Sequence, residues 1–181
     1  QTNLLKDTSL VGLWTFNGPD TSILTNLAYD RSGQGNNGLM VNMATSTRYA
    51  RGISGQALYF DGATNYVRVP DNATLESDNM TITAWFKAAL LPTSPYCAPV
   101  VHKDLDSNSN PFWGRQYALL FCDNGCPGAI FGVSGGPRSA FSTTPITLNQ
   151  WYFIAGTLSP TEVIFYTNGA KTASTTFSST W

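Results

Sequence analysis

Short runs of β-forming residues, separated by turn residues, recur along the chain and constrain its fold more than any other feature. The run at 79–87 (NMTITAWFK) alternates apolar side chains with polar or large aromatic ones. This period of two indicates a strand with one buried face, because a helix repeats its apolar residues about every 3.6 positions. The two faces of this run are Ile82, Ala84 and Phe86, and Thr81, Thr83, Trp85 and Lys87. No stretch keeps the helical period for three turns, so we expect little helix.

Eleven runs of this kind predict strands, and Asn168-Gly169 predicts a tight hairpin between the last two, because both residues tolerate positive φ. Their spacing predicts an all-β fold, a two-sheet antiparallel jelly-roll sandwich. The run Trp151-Tyr-Phe-Ile154 is apolar on both faces, as a central strand would be. The predicted strands are 10–16, 37–42, 56–60, 65–69, 79–87, 98–103, 116–122, 128–134, 151–158, 161–167 and 170–177.

Composition excludes several classes of function. The chain has 181 residues, which fits one domain over 1–181, and its formal net charge is −1. A balanced charge without Lys/Arg clusters argues against a partner such as nucleic acid or an anionic membrane surface. No apolar run approaches the ~20 residues of a membrane helix. Charged residues make up 12% of the chain, about half the usual share, and Ser, Thr and Asn replace them. Such a surface is typical of extracellular or cell-surface proteins.

Three cysteines leave the pairing open. Cys122 and Cys126 flank the turn dipeptide Asn124-Gly125, so a hairpin here would bring their β-carbons within reach of a disulfide. Cys97 is then left over, or it takes one of the pair. Three buried thiols in a reducing compartment are the alternative, and a zinc site is not expected, because His102 is the single histidine.

The order of several motifs resembles that of laminin-G-like, concanavalin-A-like lectin jelly rolls. The resemblance covers most of 10–170 and implies two antiparallel sheets, one concave, in extracellular proteins that bind glycans or other surface ligands, in some relatives with calcium. The motifs are Leu10-Val-Gly-Leu-Trp-Thr-Phe-Asn17, Asp30-Arg-Ser-Gly-Gln-Gly-Asn-Asn-Gly38, Gly55-Gln-Ala-Leu-Tyr-Phe-Asp-Gly62, Asn65-Tyr-Val-Arg-Val-Pro70, Met80-Thr-Ile-Thr-Ala-Trp-Phe-Lys87, Trp151-Tyr-Phe-Ile-Ala155 and Ile164-Phe-Tyr-Thr-Asn-Gly169.

One departure from this family concerns the end of the chain. Family members usually continue with a Gly-x-Ile-Asp-Glu-like strand, whereas this sequence stops at Trp181. Either the sequence is trimmed, which we expect, or a partner strand from another copy or protein completes the sheet edge.

The sequence does not predict an enzyme. Retaining glycosidases of this architecture resemble one another in a Glu-x-Asp-x-x-Glu strand that brings two carboxylates about 5–5.5 Å apart. Glu76 and Glu162 are the two glutamates of this chain and lie far apart. Asp104 and Asp106 have strand spacing but fall in a Ser/Asn-rich loop, where solvated turn residues are expected. His102 follows an apolar pair, and we take it as structural or as a ligand contact before a catalytic base.

Asp30 to Gly38 could supply oxygens to a hard cation. Ca²⁺ takes six to eight oxygen ligands, and Asp30, Asn36 and Asn37 offer carboxylate and amide oxygens, with Asp61 as a further donor. The alternative is a structural turn in which Asp30 caps its own backbone, and Asp61 is open to the same interpretation. Calcium is therefore the one cofactor that we consider.

Flat aromatic rings and planar polar groups suit sugar recognition, and the segment 108–117 (NSNPFWGRQY) carries both. We predict Trp113, Arg115 and Asn110 as ligand-binding residues, with Tyr96 and His102 beside them. The alternative is that Trp113 closes the end of the sandwich. Trp14, Trp85 and Trp151 lie within strand patterns and are predicted to be core residues.

These residues predict a non-catalytic, extracellular carbohydrate-binding or adhesion module whose partner is a glycan or cell-surface ligand. The first alternative is a structural subunit or exposed head of a pilus-like surface filament, in which copies of the chain associate. The second is a polysaccharide-degrading enzyme, which the lack of paired carboxylates disfavours.

Overall fold

The structure is a computed structural model, and it describes residues 7–44, 48–103, 117–133 and 136–178. These residues form an all-β fold, as predicted, and within them the only helical pieces are two short 3₁₀ turns, Gly18–Asp20 and Ala73–Leu75. Every ladder is antiparallel. None of the helical pieces that are described is long and apolar enough to cross a membrane.

The chain divides into two compact units, one up to Glu76 and one from Ser77. The single domain over 1–181 stays a prediction, and each unit is described here by itself. The strands are β1 (Thr21–Ser22), β2 (Leu27–Ala28), β3 (Gly38–Val41), β4 (Tyr49–Arg51), β5 (Gln56–Leu58), β6 (Tyr66–Arg68), β7 (Met80–Phe86), β8 (Cys97–Lys103), β9 (Tyr117–Cys122), β10 (Pro127–Val133), β11 (Gly136–Phe141), β12 (Tyr152–Leu158), β13 (Glu162–Thr167) and β14 (Ala170–Thr176).

The first unit contains one four-stranded sheet, in the order β1-β2-β3-β6, and the hairpin β4-β5. Its strands are only two to four residues long. A small core of Ala28, Met40, Met43 and Leu58 lies beneath them, and Trp14 packs against it. Beside this small core, loop side chains such as Asp30 and Asn36 form hydrogen bonds within the unit.

The second unit is a sandwich of two four-stranded sheets, β11-β10-β9-β8 and β14-β13-β12-β7. Leu119 and Phe131 of the first sheet are fully buried with Ile154, Val163 and Phe165 of the second. Along each strand these residues alternate with side chains that face away from the core. The interior position of β12 confirms the prediction made from its two apolar faces.

The predicted strand 10–16 is wrong. Its backbone groups bond to the loop that follows, since Leu13 N–H donates to the Asp30 carboxylate at 2.9 Å and Leu13 C=O accepts from Arg31 N at 2.8 Å. Phe16 also has a positive φ of 57°, which interrupts extended chain. Four short or atypical strands were not predicted: β1, β2, β4 and β11.

The resident disulfide joins Cys97 to Cys122, and Cys126 is a free thiol. The predicted pair Cys122–Cys126 is therefore wrong, and the alternative in which Cys97 takes one of that pair is the arrangement found. The reason is strand register, because Cys97 lies directly opposite Cys122 in the β8–β9 ladder.

Candidate functional site

The most distinctive exposed surface of the second unit is the outer face of the sheet β14-β13-β12-β7. In β7, Ala84 and Phe86 pack in the core, so Trp85 points outward, and half of its surface is exposed. In β12, Ile154 is fully buried, so Phe153 and Ala155 point outward. The predicted core position of Trp85 is therefore wrong.

Register brings three aromatic side chains together on this face. Trp85 lies opposite Phe153, and their ring centroids are 5.4 Å apart with planes inclined at 47°. Tyr166 of β13 lies opposite Ala155, which makes it a diagonal neighbour of Phe153. We call Trp85, Phe153 and Tyr166 the aromatic row. Ala155 lies between Thr83 and Tyr166 in the sheet, and its small side chain is almost fully covered by its neighbours.

Polar side chains surround the aromatic row. Hydroxyl groups from β7, β12 and β14 share its face, as do one carboxylate and one ammonium group. Lys171 Nζ lies 3.0 Å from Glu162 Oε1. This contact holds the pKa of the Glu162 carboxyl below its usual value, although some desolvation opposes the shift. The polar members of this face are Thr81, Thr83, Thr157, Glu162, Lys171, Ser174 and Thr176.

This arrangement suits the binding of a flat ligand. Among the described residues of this face, Glu162 is the one carboxylate, and its charge is matched by Lys171. The half-exposed ring of Trp85, beside partly buried rings and hydroxyl and charged groups, can contact both the apolar and the polar sides of such a ligand.

Asp30 organises a loop of the first unit. Its Oδ1 accepts from Leu13 N at 2.9 Å and Ser32 N at 2.8 Å, and its Oδ2 accepts from Ser32 Oγ at 2.7 Å and Asn36 N at 3.0 Å. Burial alone would raise the pKa of the Asp30 carboxyl, but these donors outweigh it and hold the pKa below its ordinary value.

Asn36 and Asn37 complete this loop. Asn36 is almost fully buried, and its side-chain amide donates to Val11 O at 2.8 Å and Thr74 Oγ1 at 2.9 Å. Asn37 Oδ1 accepts from Asp30 N at 2.9 Å. The structure therefore brings together three of the four predicted calcium ligands, but the Asp30 carboxylate and Asn37 Oδ1 already accept hydrogen bonds from the protein.

Asp61 forms a turn of its own. Its Oδ1 accepts from the backbone amides of Ala63, Thr64 and Asn65 at 2.8–3.0 Å, and Thr64 Oγ1 donates to Oδ2. These donors lower the pKa of the Asp61 carboxyl strongly. Both aspartates thus match the turn interpretation.

These residues do not fit a calcium site in this arrangement. The protein's own N–H and O–H groups point at the carboxylate oxygens that a cation would need, and those donors would repel it. Within residues 7–44, 48–103, 117–133 and 136–178, no three His, Cys, Asp or Glu side chains form a group that could hold a metal. Calcium stays an untested prediction.

The predicted ligand-binding residues lie on the second part of the chain. Trp113, Arg115 and Asn110 fall outside the described residues, so their role stays a prediction. Tyr96 lies on the loop before β8, and 69% of its surface is exposed. His102 is exposed near the other end of β8. It lies six residues after Tyr96, which corresponds to about 20 Å along an extended chain. These two side chains are therefore not brought together.

Sequence reasoning missed the aromatic row. A signal was present, because the alternation of 79–87 already placed Trp85 with Thr81 and Thr83 on the polar face. An aromatic residue on the polar side of a strand is the pattern that could have identified it. Phe153 and Tyr166 could not be added without knowing which strands pair.

Comparisons with known proteins agree with this architecture. A family model described as the concanavalin A-like lectin/glucanases superfamily matches residues 61–181. A comparison with curated protein sequences found no match.

Two solved structures have a similar fold. One is domain 4 of AbnA, a GH43 extracellular arabinanase from Geobacillus stearothermophilus, in complex with arabinotriose; it has a TM-score of 0.64, 20% identity, and covers 92% of this chain and 75% of that one. The other is an S-layer domain-containing protein from Clostridium thermocellum, with a TM-score of 0.54, 23% identity, and coverage of 92% and 73%. At these identities the likeness concerns the fold.

Proposed function

We propose that this chain, which belongs to the concanavalin A-like lectin/glucanases superfamily, is a non-catalytic module that binds carbohydrate outside the cell. The observation that carries this proposal is the aromatic row on an outer sheet face. Trp85 is half exposed there, next to Phe153. In this proposal a sugar ring stacks with its C–H-rich face on the exposed part of Trp85 and also contacts the neighbouring aromatic side chains.

The groups around the row would supply polar recognition. Thr83 and Thr157 carry hydroxyl groups that both donate and accept, and the Glu162–Lys171 pair offers an acceptor and a donor at 3.0 Å from each other. Such a mixture matches neutral saccharides, whose hydroxyl groups also play both roles. The solved neighbour that contains arabinotriose makes arabinose oligosaccharides a reasonable first probe.

An extracellular location is part of this proposal. The disulfide between Cys97 and Cys122 is exposed to solvent at Cys97, and such bridges persist mainly in oxidising compartments. The low share of charged residues, 12%, agrees with this location.

The non-catalytic part of the proposal rests on the carboxylates. In the described part of the chain, no second carboxylate lies beside Glu162 on the aromatic face, and Glu162 is paired with Lys171. The module would therefore hold its ligand without cleaving it.

Affinity electrophoresis in gels that contain neutral polysaccharides, including linear arabinan, would test the proposal. We expect at least one polysaccharide to retard the wild-type chain, and Trp85→Ala to weaken that binding at least about tenfold, as for an anchoring aromatic residue. The matched control is Tyr59→Ala, because Tyr59 is also about half exposed but lies in the first unit. Equal loss in both variants, or retention of binding by Trp85→Ala, would refute the site.

A further inference from the structure

Three cysteines form a row across neighbouring strands of the second unit. Cys97 at the start of β8 lies opposite Cys122 at the end of β9. Pro127 of β10 lies opposite Phe121, so the preceding residue, Cys126, is opposite Cys122 on its other side. Cys122 N–H donates to Cys126 C=O at 3.2 Å, which agrees with this register. Directly opposed residues of an antiparallel sheet project to the same face.

The row holds one bond and one free thiol. Cys97 and Cys122 are joined, and Cys126 is unbonded. Cys97 is exposed, while Cys122 and Cys126 are partly exposed. Thiol–disulfide exchange requires a thiolate with access to a disulfide sulfur, and this row places a thiol next to a disulfide-bonded cysteine within one hairpin.

We infer that Cys122 is the centre of an internal thiol–disulfide exchange site. The Cys126 thiolate attacks Cys122 Sγ, the Cys122–Cys126 bond forms as the Cys97–Cys122 bond breaks, and Cys97 leaves as a thiolate that takes up a proton. The step conserves electrons and needs no external oxidant. Cys97 and Cys126 lie on the two strands that flank Cys122, so the thiolate can approach from the side opposite the leaving sulfur.

Because of the strand spacing, Cys122 is the one cysteine of the row that can form a disulfide with either of the other two. Neighbouring strands lie about 4.8 Å apart, so Cys97 and Cys126, two strands apart, are about 9.6 Å from each other. Disulfides are not formed between residues whose Cα atoms are more than about 7 Å apart without backbone movement. Attack by Cys126 on the Cys97 sulfur is therefore excluded.

The exchange would move the disulfide from one pair of strands to another. The Cys97–Cys122 disulfide links the start of β8, next to Tyr96, to β9. After exchange, the disulfide links β9 to β10, and the segment before β8 keeps backbone hydrogen bonds such as Asp123 N–H to Tyr96 C=O at 3.2 Å. The exchange site thus controls how firmly the Tyr96 loop is held, and it is independent of the proposed carbohydrate site.

Alkylation of the native protein tests this inference. Wild-type chain is treated with N-ethylmaleimide at pH about 8.5, quenched with acid, digested with pepsin, and analysed by mass spectrometry without reduction. We expect some molecules to carry the label on Cys126 and others to carry it on Cys97, with Cys122 unlabelled in both. The fraction with labelled Cys97 should not change on dilution, because the exchange is intramolecular.

The control is Cys126→Ser, which lacks the attacking thiol and should show no label on Cys97. If wild type and Cys126→Ser have equal label on Cys97, the inference is wrong. A second variant tests the new bond directly: Cys97→Ser treated with oxidised glutathione should form an internal Cys122–Cys126 disulfide. Both results are required, so a Cys97→Ser chain that carries only glutathione adducts also overturns the inference.

Discussion

The carboxylate of Asp30 accepts four hydrogen bonds and holds together a loop that the small core of the first unit supports weakly. Asp30→Asn keeps the shape but removes the charge and turns one acceptor oxygen into a donor. We expect it to lower the free energy of unfolding by about 1–3 kcal/mol at neutral pH. Urea denaturation measures this change.

The effect of Asp30→Asn should depend on pH. The donors hold the folded pKa of Asp30 below the ordinary value of about 3.9, so the unfolded chain takes up the proton first as pH falls. This contribution to stability is complete well above pH 3.9 and is lost as pH falls through the folded pKa. The difference in free energy of unfolding between wild type and variant should therefore shrink between pH about 6 and about 3.

The control for this variant is Asp123→Asn. Asp123 accepts the backbone amide of Asn124 at 2.9 Å, and asparagine can retain that bond. We expect Asp123→Asn to lower the free energy of unfolding at neutral pH by less than Asp30→Asn does. A difference between wild type and Asp30→Asn that stays constant or grows on acidification would contradict the role assigned to Asp30.

At the scale of single elements, the β13–β14 hairpin depends on its turn residues. Asn168 and Gly169 have φ values of 52° and 84°, and no heavy atom lies within 4 Å of a Cβ added to Gly169. Gly169→Ala should therefore lower stability by about 1 kcal/mol through backbone strain alone. Gly169→Asn is the control, because asparagine tolerates positive φ and should cost less in a thermal unfolding experiment. Equal losses would show that strain at this position is not the cause.

The two sheets of the second unit approach closely at β12. A Cβ added to Gly156 would lie 2.6 Å from Ala129 Cβ and 3.1 Å from Leu119 Cδ2, both of the opposite sheet. We expect Gly156→Ala to lower the free energy of unfolding by about 1–3 kcal/mol, as overpacking does. Thr157→Ala, on the outward face of the same strand, should stay within about 0.5 kcal/mol. Similar losses for both variants would argue against tight packing between the sheets.

At the scale of the whole molecule, the strands that sequence predicts are those with clear alternation and flanking turns. Positions 79–87 and 161–167 became β7 and β13 with ends shifted by one residue at most. β11 was missed because it starts with Gly136-Pro137 and has few β-branched residues, so its strand character comes from pairing with β10. The run 10–16 has strand composition, but its hydrogen bonds go to the Asp30 loop.

The candidate site was less predictable than the fold. Asp30 and Asp61 were identified as turn residues or ligands, and which role applies depends on donors such as Leu13 and Asn65 that only the folded chain brings near. The aromatic row depends on the register of three strands, which alternation within one strand does not determine. The pairing of Cys97 with Cys122 has the same origin.

The central claim, that the chain holds a saccharide on the aromatic row without cleaving it, is tested most directly by NMR. Isotope-labelled protein is titrated with arabinotriose, xylotriose and cellotriose. The account predicts that at least one trisaccharide causes saturable shifts of the Trp85 indole N–H and of Phe153 and Tyr166, and that it remains intact. Shifts confined to other parts of the chain, no shifts with any of the three, or cleavage of the bound sugar would contradict it.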